Sequence, residues 1–170
     1  FALFDKRTHR LSLVRDRFGV KPLFYGVGKS GDLLFSSSAA FIGEFLQAKI
    51  DKRYCSRGIR YKVFETDASE SPFEDVVAVT PGSAVEVELT SGAIRISEKR
   101  WYDLAAAVER KRTELASKAL SSIKEECFSL FADAVKIRLR SDVPLAISLS
   151  GGLDSSSIAA VAVENIDDPS

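Results

Sequence analysis

Short apolar stretches separated by polar or glycine-containing turns fill much of the first hundred residues and predict β-strands. The first four lie close together along the chain, and connections this short favour an antiparallel meander. The last two alternate apolar and polar residues, and Thr90-Ser91-Gly92 between them indicates a hairpin turn. The predicted strands span 1–4, 11–15, 23–27, 33–36, 76–79, 84–89 and 94–97.

Apolar residues that recur at spacings of three and four predict helices. One covers 39–48, with Ser37 or Ser38 as its N-cap, and another covers 51–64 and carries a basic cluster typical of a solvated helix face. Residues 105–117 lack a clear apolar stripe, so they predict a linker or a solvated helix. A long helix follows at 118–140, with its apolar positions at Leu120, Ile123, Cys127, Leu130, Phe131 and Ala134.

The stretch after the long helix combines an apolar run, Leu145–Leu149, with the glycine turn Ser150-Gly151-Gly152-Leu153-Asp154-Ser155-Ser156. It predicts a strand, a tight turn and a helix that begins at Ser155. The first amides of a helix lack intrahelical partners, and the peptide dipoles add positive potential there. The order therefore predicts an anion-binding loop with serine hydroxyls as further donors. The alternative is an ordinary turn in which Ser150 or Asp154 caps the helix.

Composition and charge narrow the classes of function. Lys plus Arg equals Asp plus Glu at 24 each, so we expect neither a nucleic-acid nor a membrane partner. No apolar run is long enough to cross a bilayer, and residues 1–30 do not have the pattern expected of a signal peptide. The chain has no methionine and opens directly in strand-like sequence, so we expect an internal stretch of a longer protein.

The residues most often used in catalysis and metal binding are few. Cys55 and Cys127 are far apart and have no neighbouring His or Cys, so they predict neither a zinc site nor a disulfide framework. We expect both to be reduced and partly buried. The single His9 lies in a polar turn and is expected to be solvated.

A charged corner, Arg15-Asp16-Arg17-Phe18-Gly19-Val20-Lys21-Pro22-Leu23, lies between the second and third predicted strands. Pro22 fixes its own φ and keeps the preceding residue extended. The simplest interpretation is a corner whose charges pair locally, Asp16 with Arg15 or Arg17. Farther along, the exposed pair Trp101-Tyr102 is expected to pack on a neighbouring surface at a domain junction.

Two motifs carry a resemblance to known proteins. The run from Ser150 to Ser155 resembles the pyrophosphate-loop motif of enzymes that split ATP into AMP and pyrophosphate. The segment from Arg15 to Tyr25 resembles the signature of class II glutamine amidotransferase domains. With both motifs in this order, nearly the whole chain resembles the glutamine-hydrolysing asparagine synthase family. Further matches in the family's order and spacing are Phe1–Asp5, Pro81-Gly82, Trp101-Tyr102 and Ser141–Pro144.

The resemblance implies an architecture that is α/β and α+β. Residues 1–103 would form the C-terminal part of an N-terminal-nucleophile (αββα) glutaminase domain. Residues 104–117 would be a linker. Residues 118–170 would begin a Rossmann-like pyrophosphate-loop α/β domain, the ATP-pyrophosphatase domain of the family.

The activity implied is glutamine-dependent asparagine synthesis by a cytoplasmic ATP-dependent amidoligase, with the stretch alone expected to be inactive. ATP would activate the aspartate side-chain carboxylate as an acyl-adenylate, and ammonia from glutamine would form the amide. Glutamine, aspartate, ATP and Mg²⁺ would be its small-molecule partners, and a homodimer is one assembly that the resemblance allows for the full-length protein. The ATP- and pyrophosphate-binding residues implied are Leu149, Ser150, Gly151, Gly152, Asp154, Ser155 and Ser156, with Asp154 also at the metal.

Two departures from the family pattern leave alternatives open. The family commonly has an acidic and a basic residue where this chain reads Phe35-Ser36-Ser37-Ser38-Ala39-Ala40. The family's glutaminase nucleophile is an N-terminal cysteine, which neither Cys55 nor Cys127 matches, so no catalytic residue is assigned. Related enzymes use the same loop to close β-lactam or macrolactam rings, and a non-catalytic nucleotide-binding relative is a further alternative.

Overall fold

The computed structural model describes residues 1–64, 69–90 and 93–166, with the side chains of residues 89, 90 and 93 left aside. Two compact units divide the chain, Phe1–Glu109 and Arg110–Ser170. The elements are β1 (Ala2–Asp5), β2 (Arg10–Val14), β3 (Phe24–Val27), β4 (Leu33–Ser36), α1 (Ala39–Leu46), α2 (Lys52–Tyr61), β5 (Val76–Ala78), β6 (Ser83–Thr90), β7 (Ala93–Arg100), α3 (Leu104–Leu115), α4 (Leu120–Arg138) and α5 (Leu153–Glu164).

The predicted strands and helices of the first unit are confirmed, with bounds that differ by a few residues. Ser38 caps α1, because its hydroxyl accepts the amide of Phe41 at 3.4 Å. Asp51 caps α2 through the amides of Arg53 and Tyr54. Local capping chemistry therefore sets where both helices begin. The hairpin turn predicted at Ser91-Gly92 lies outside the described residues.

The strands of the first unit form two antiparallel sheets, ordered β1-β2-β6-β7 and β4-β3-β5. The predicted meander is wrong at one step, since β2 pairs with β6 and not with β3. The reason is burial: Leu13 on β2 and Leu23 just before β3 belong to one core cluster together with Val79, Val85 and Val87. Placing β2 and β3 in different sheets lets both apolar faces meet in that cluster.

Sheet β4-β3-β5 buries side chains on both faces, in agreement with the alternation of a strand. Phe24 and Leu34 pack in the cluster around Ile42 of α1. Their chain neighbours Tyr25 and Leu33 pack against the cluster that contains Leu11 and Leu13 of the other sheet. The first unit is therefore layered as helix, sheet and sheet, which confirms the mixed α and β architecture.

The second unit contains α4 and α5, which pack through Val135, Val161 and Ala162. The apolar stripe predicted along α4 from Leu120 to Ala134 is only partly buried. Leu120 and Leu130 remain 67% and 63% exposed, because the apolar packing with α5 is made farther along α4, around Val135.

Two other predictions in the second half are corrected or confirmed. The strand predicted at Leu145–Leu149 is not formed, because a strand needs a hydrogen-bonded neighbour and the described residues of this unit provide none. The alternative of a solvated helix after residue 104 is confirmed by α3, which has no buried residue.

The solvent exposure of the cysteines and of His9 agrees with most of the predictions. Both cysteines are free thiols, Cys55 half-buried and Cys127 exposed, so the expectation of partial burial is wrong for the second. His9 is exposed in its turn, as predicted. Among the helices at 1–64 and 93–166, none combines the length and the apolar content needed to cross a bilayer.

Candidate functional site

The predicted anion-binding loop lies at the N-terminus of α5. The helix begins at Leu153, earlier than the predicted start at Ser155, and Gly152 is its N-cap residue. No side chain caps it, so the alternative in which Ser150 or Asp154 does so is wrong. The end of the helix therefore keeps its positive potential without a side-chain partner.

Backbone amides without hydrogen-bond partners indicate an anion site in this loop. The amides of Gly151, Leu153, Asp154 and Ser155 have no hydrogen-bond partner among the described residues. Gly151 has a φ of +78°, and no atom lies within 4 Å of where its Cβ would be. An incoming group can thus approach this backbone closely.

The serine hydroxyls hold the shape of the loop. The amides of Ser150 and Gly152 donate to the hydroxyls of Ser155 and Ser150, at 3.3 and 3.4 Å. The hydroxyls of Ser155 and Ser156 lie 3.2 and 2.9 Å from the carbonyl oxygen of Gly152, to which they donate. These bonds fold the turn back on the helix. The hydroxyls can exchange those partners for a ligand because all of them lie at or near the surface.

Leu149 and Asp154 complete the set of residues predicted for this site. Leu149 precedes the loop with its side chain 63% exposed, which leaves an apolar surface next to the free amides. Asp154 lies in the first turn of α5 and forms no ion pair with the described residues. No group of three or more His, Cys, Asp or Glu side chains that could hold a metal ion occurs in the described ranges. A metal here would therefore depend on Asp154 together with ligand oxygens.

The charged corner between β2 and β3 is held by the buried guanidinium of Arg15, whose residue is only 7% exposed. Its Nη1 and Nη2 donate to the carbonyl oxygens of Val79 and Gly19, both at 2.9 Å, and its Nε donates to that of Lys21 at 3.2 Å. The rigid fork of arginine thus satisfies three carbonyls from different parts of the chain.

The carboxylate of Asp16 holds the outer side of the same corner. It accepts the amides of Phe18, Val20 and Lys21 at 3.0–3.1 Å. These bonds, the one from Lys21 first, hold the pKa of this carboxyl below its ordinary value. The interpretation in which Asp16 pairs with Arg15 or Arg17 is wrong, because backbone groups take the place of the ion pair.

Pro81-Gly82 links this corner to the end of β7. The Gly82 amide donates to the carbonyl of Asp16 at 2.9 Å, and its carbonyl accepts the amides of Trp101 and Tyr102 at 2.8 and 3.0 Å. Gly82 has a φ of +68°, and an added Cβ would lie 2.6 Å from the Tyr102 carbonyl oxygen. Only glycine fits this close approach. Arg17 lies over both aromatic rings, 5.8 and 5.6 Å from their centroids.

Residues 1–102 match the family model described as glutamine amidotransferase domain, and residues 126–168 match the one described as asparagine synthase. The chain belongs to the glutamine-hydrolysing asparagine synthase family. The chain thus joins the amidotransferase and synthase parts that define the family, in the expected order.

Curated relatives of the family have different names. Amidase chry2 of Gibberella zeae is 33% identical over 161 residues, which cover 95% of this chain and 22% of that protein. Amidase chyE of Penicillium rubens is 32% identical over 164 residues, covering 96% and 23%. Asparagine synthetase (glutamine-hydrolyzing) 3 of Bacillus subtilis is 32% identical over 167 residues, covering 95% and 25%. The chain spans about a quarter of the length of these relatives.

The family's acidic and basic pair is replaced here by a segment with a local structural role. The hydroxyl of Ser36 accepts the amide of Ser38 at 3.1 Å, and Ser38 in turn caps α1. The serines therefore stabilise the start of a helix without any charge. Cys55 lies on α2 and Cys127 on α4.

Sequence reasoning missed the stacking of Arg17 on Trp101 and Tyr102. The partners are more than eighty residues apart, and no periodicity connects them. The sequence predicts a locally paired corner for the first segment, around Arg17, and a junction surface for the second, Trp101-Tyr102, and neither prediction indicates that the two meet.

Asp16→Asn is expected to destabilise the first unit most at neutral pH and progressively less as the pH falls. The folded-state pKa of Asp16 is lowered, so its contribution is present above the ordinary value of about 4 and is lost as the pH falls through the folded value. Urea unfolding of both proteins between about pH 7 and pH 3 measures the difference. Asp133→Asn, on the exposed face of α4, is the control and should show no such convergence.

Proposed function

We propose that the full-length protein is an ATP-dependent amidoligase that makes asparagine from aspartate with ammonia from glutamine. The observation that carries the proposal is the loop at the start of α5. Its four free amides lie at a helix N-terminus within the part of the chain that matches the asparagine synthase model. Several donors are needed because each exposed contact of this kind contributes only about 0.3–1 kcal/mol.

In this proposal the loop binds the β- and γ-phosphates and stays bound to them when they leave together as pyrophosphate. The free amides of Gly151 and Leu153–Ser155 would donate to the phosphate oxygens, and the hydroxyls of Ser150, Ser155 and Ser156 would add further donors. Leu149 would contact the nucleotide beside the loop. The amide then forms when ammonia attacks the activated carboxylate.

The same proposal places Mg²⁺ at Asp154. Its carboxylate is exposed, has no cationic partner among the described residues and lies one residue from the free amide of Leu153, so it fits a cation shared with phosphate oxygens. The metal would supply charge neutralisation on the departing phosphates.

The rest of the assignment follows from the family and stays part of the proposal. Residues 1–103 belong to the glutaminase domain, 104–117 link the domains, and 118–170 begin the ATP-pyrophosphatase domain. In this proposal the protein works in the cytoplasm on small molecules, and a homodimer of the full-length protein is one assembly compatible with it.

A second candidate is an amidase-type reaction, the hydrolysis of an amide other than glutamine. The two fungal relatives named amidase, at 32–33% identity, favour it. They are as similar to this chain as the Bacillus subtilis asparagine synthetase is. The two candidates differ in their need for ATP, which makes them separable.

The test measures pyrophosphate and ammonia from the full-length protein with ATP, Mg²⁺, glutamine and aspartate. The ligase predicts pyrophosphate and asparagine in equal amounts, both dependent on aspartate. Ammonia released without ATP consumption from an amide other than glutamine would support the amidase, because the ligase is itself expected to hydrolyse glutamine. Pyrophosphate with a different carboxylate would identify another acceptor.

Gly151→Ala is expected to raise the KM for ATP by about tenfold or more in that assay. Alanine at a φ of +78° costs about 1–2 kcal/mol, and the loop can relieve this strain by turning its amides away from the phosphates. Gly31→Ala is the matched control, since Gly31 has a φ of +86° in a hairpin and also has open space around its Cβ position. It should lose similar stability and keep its KM.

A further inference from the structure

An open cavity of about 410 Å³ lies in the first unit beside the charged corner. Its size falls within the range of about 300–1,000 Å³ that is usual for small-molecule sites. None of the residues predicted to bind ATP belongs to it. The side chains that give it chemical character are Arg17, Phe18, Arg100, Tyr102 and Asp103.

Two guanidinium groups line this cavity without a carboxylate partner. Arg17 and Arg100 form no ion pair with any described residue. The guanidinium of Arg17 lies over the rings of Trp101 and Tyr102, and its N–H groups donate no hydrogen bond to the described residues. Both residues can therefore donate to planar carboxylates in the cavity.

One carboxylate is fixed among these cations. An oxygen of Asp103 accepts the amide of Ala106 at 3.0 Å, so the side chain is held at the start of α3. The carboxylate is exposed, and its other oxygen is able to accept from a ligand. The cavity is thus lined by two positive groups, one negative group and the aromatic ring of Phe18.

The wall of the cavity is organised before any ligand arrives. The Gly82 carbonyl fixes the backbone at Trp101 and Tyr102, and the Asp16 carboxylate fixes the backbone at Phe18. The rings of Phe18 and Tyr102 meet edge to face, with centroids 6.2 Å apart. Binding therefore costs little additional ordering.

We propose that this cavity binds a free acidic amino acid, L-glutamate or L-aspartate. Its two carboxylates match the guanidinium groups of Arg17 and Arg100, and its ammonium group matches the Asp103 carboxylate. The methylene groups lie against Phe18. A phosphate or a plain dicarboxylate lacks the ammonium group and would face Asp103 with a like charge.

Equilibrium dialysis of labelled L-glutamate and L-aspartate against the full-length protein tests the proposal. Arg100→Gln should weaken the binding at this site by at least about tenfold, because a charged hydrogen-bonding partner is lost. Arg95→Gln, on the same strand but outside the cavity, should stay within about twofold of the parent. Equal binding by the two variants would overturn the proposal.

Asp103→Asn separates an amino-acid site from a general anion site. Asparagine caps helices as well as aspartate does, so α3 should persist while the negative charge is lost. L-Glutamate should bind about tenfold more weakly to the variant, and glutarate should not. If inorganic phosphate or glutarate binds the parent as tightly as L-glutamate, the cavity is a general anion site and the proposal is wrong.

The proposal stands apart from the ligase assignment. Dialysis needs neither ATP nor glutamine hydrolysis, so binding can be present in a protein that releases no pyrophosphate. Binding that Arg100→Gln leaves unchanged belongs to another site, including one for a substrate. Only the binding that Arg100→Gln removes supports a site in this cavity.

Discussion

Asp154→Ala is expected to reduce pyrophosphate release by about a thousandfold in the full-length protein while glutamine hydrolysis stays within about twofold of the parent. A cation that neutralises departing phosphates lowers the activation free energy by several kcal/mol, and each 1.36 kcal/mol changes the rate by about a factor of ten. Asp154 is the only carboxylate in the loop from Leu149 to Ser156, so no neighbour in the loop can replace it. Parallel assays of pyrophosphate and of glutamate production measure the two effects.

Two further variants make this result interpretable. Asp154→Asn keeps the shape of the side chain but removes its charge, so it should lose nearly as much activity as the alanine variant. Asp133→Ala changes an exposed carboxylate on α4 and should retain both activities. Equal loss of both reactions in Asp154→Ala would point to folding and contradict the metal role.

Arg15→Met is expected to destabilise the first unit by about 3–5 kcal/mol. Methionine fills much of the same volume but leaves the carbonyls of Gly19, Lys21 and Val79 without their donor, at about 1–3 kcal/mol for each buried group. The main-chain corner that presents Arg17 would then loosen. Hydrogen exchange of the β2 and β6 amides measures the free energy of opening locally.

The control and a graded variant follow from the same geometry. Arg7→Met removes an exposed arginine with only a distant contact to Asp5 at 3.8 Å, and it should change stability by less than about 0.5 kcal/mol. Arg15→Lys keeps the charge but cannot fork to three carbonyls, so it should fall between the two. If the β2 amides exchange as slowly in Arg15→Met as in Arg7→Met, Arg15 does not stabilise the corner and the prediction is wrong.

Much of the local structure could be predicted because its causes lie within a few residues. Ser38 and Asp51 cap the helices that follow them, and β6 buries Val85 and Val87 in alternation with the half-buried Glu86 and Glu88, as its pattern predicts. The anion-binding loop at Gly151 also keeps the free amides that its motif predicts. Prediction failed at Leu145–Leu149, where the sequence has the composition of a strand but the described residues offer no neighbour to pair with.

The sequence by itself determined the turns, the helix starts and the two motifs that place the chain in its family, since each depends on neighbouring residues. Tertiary structure alone decided that β2 pairs with β6, that Arg15 reaches Val79, 64 residues away, and that Arg17 stacks on Trp101. Such contacts join residues that are far apart in the sequence, so the neighbours of one residue give no information about the other. They are fixed only when burial brings distant backbone carbonyls, cations and aromatic rings to the same place.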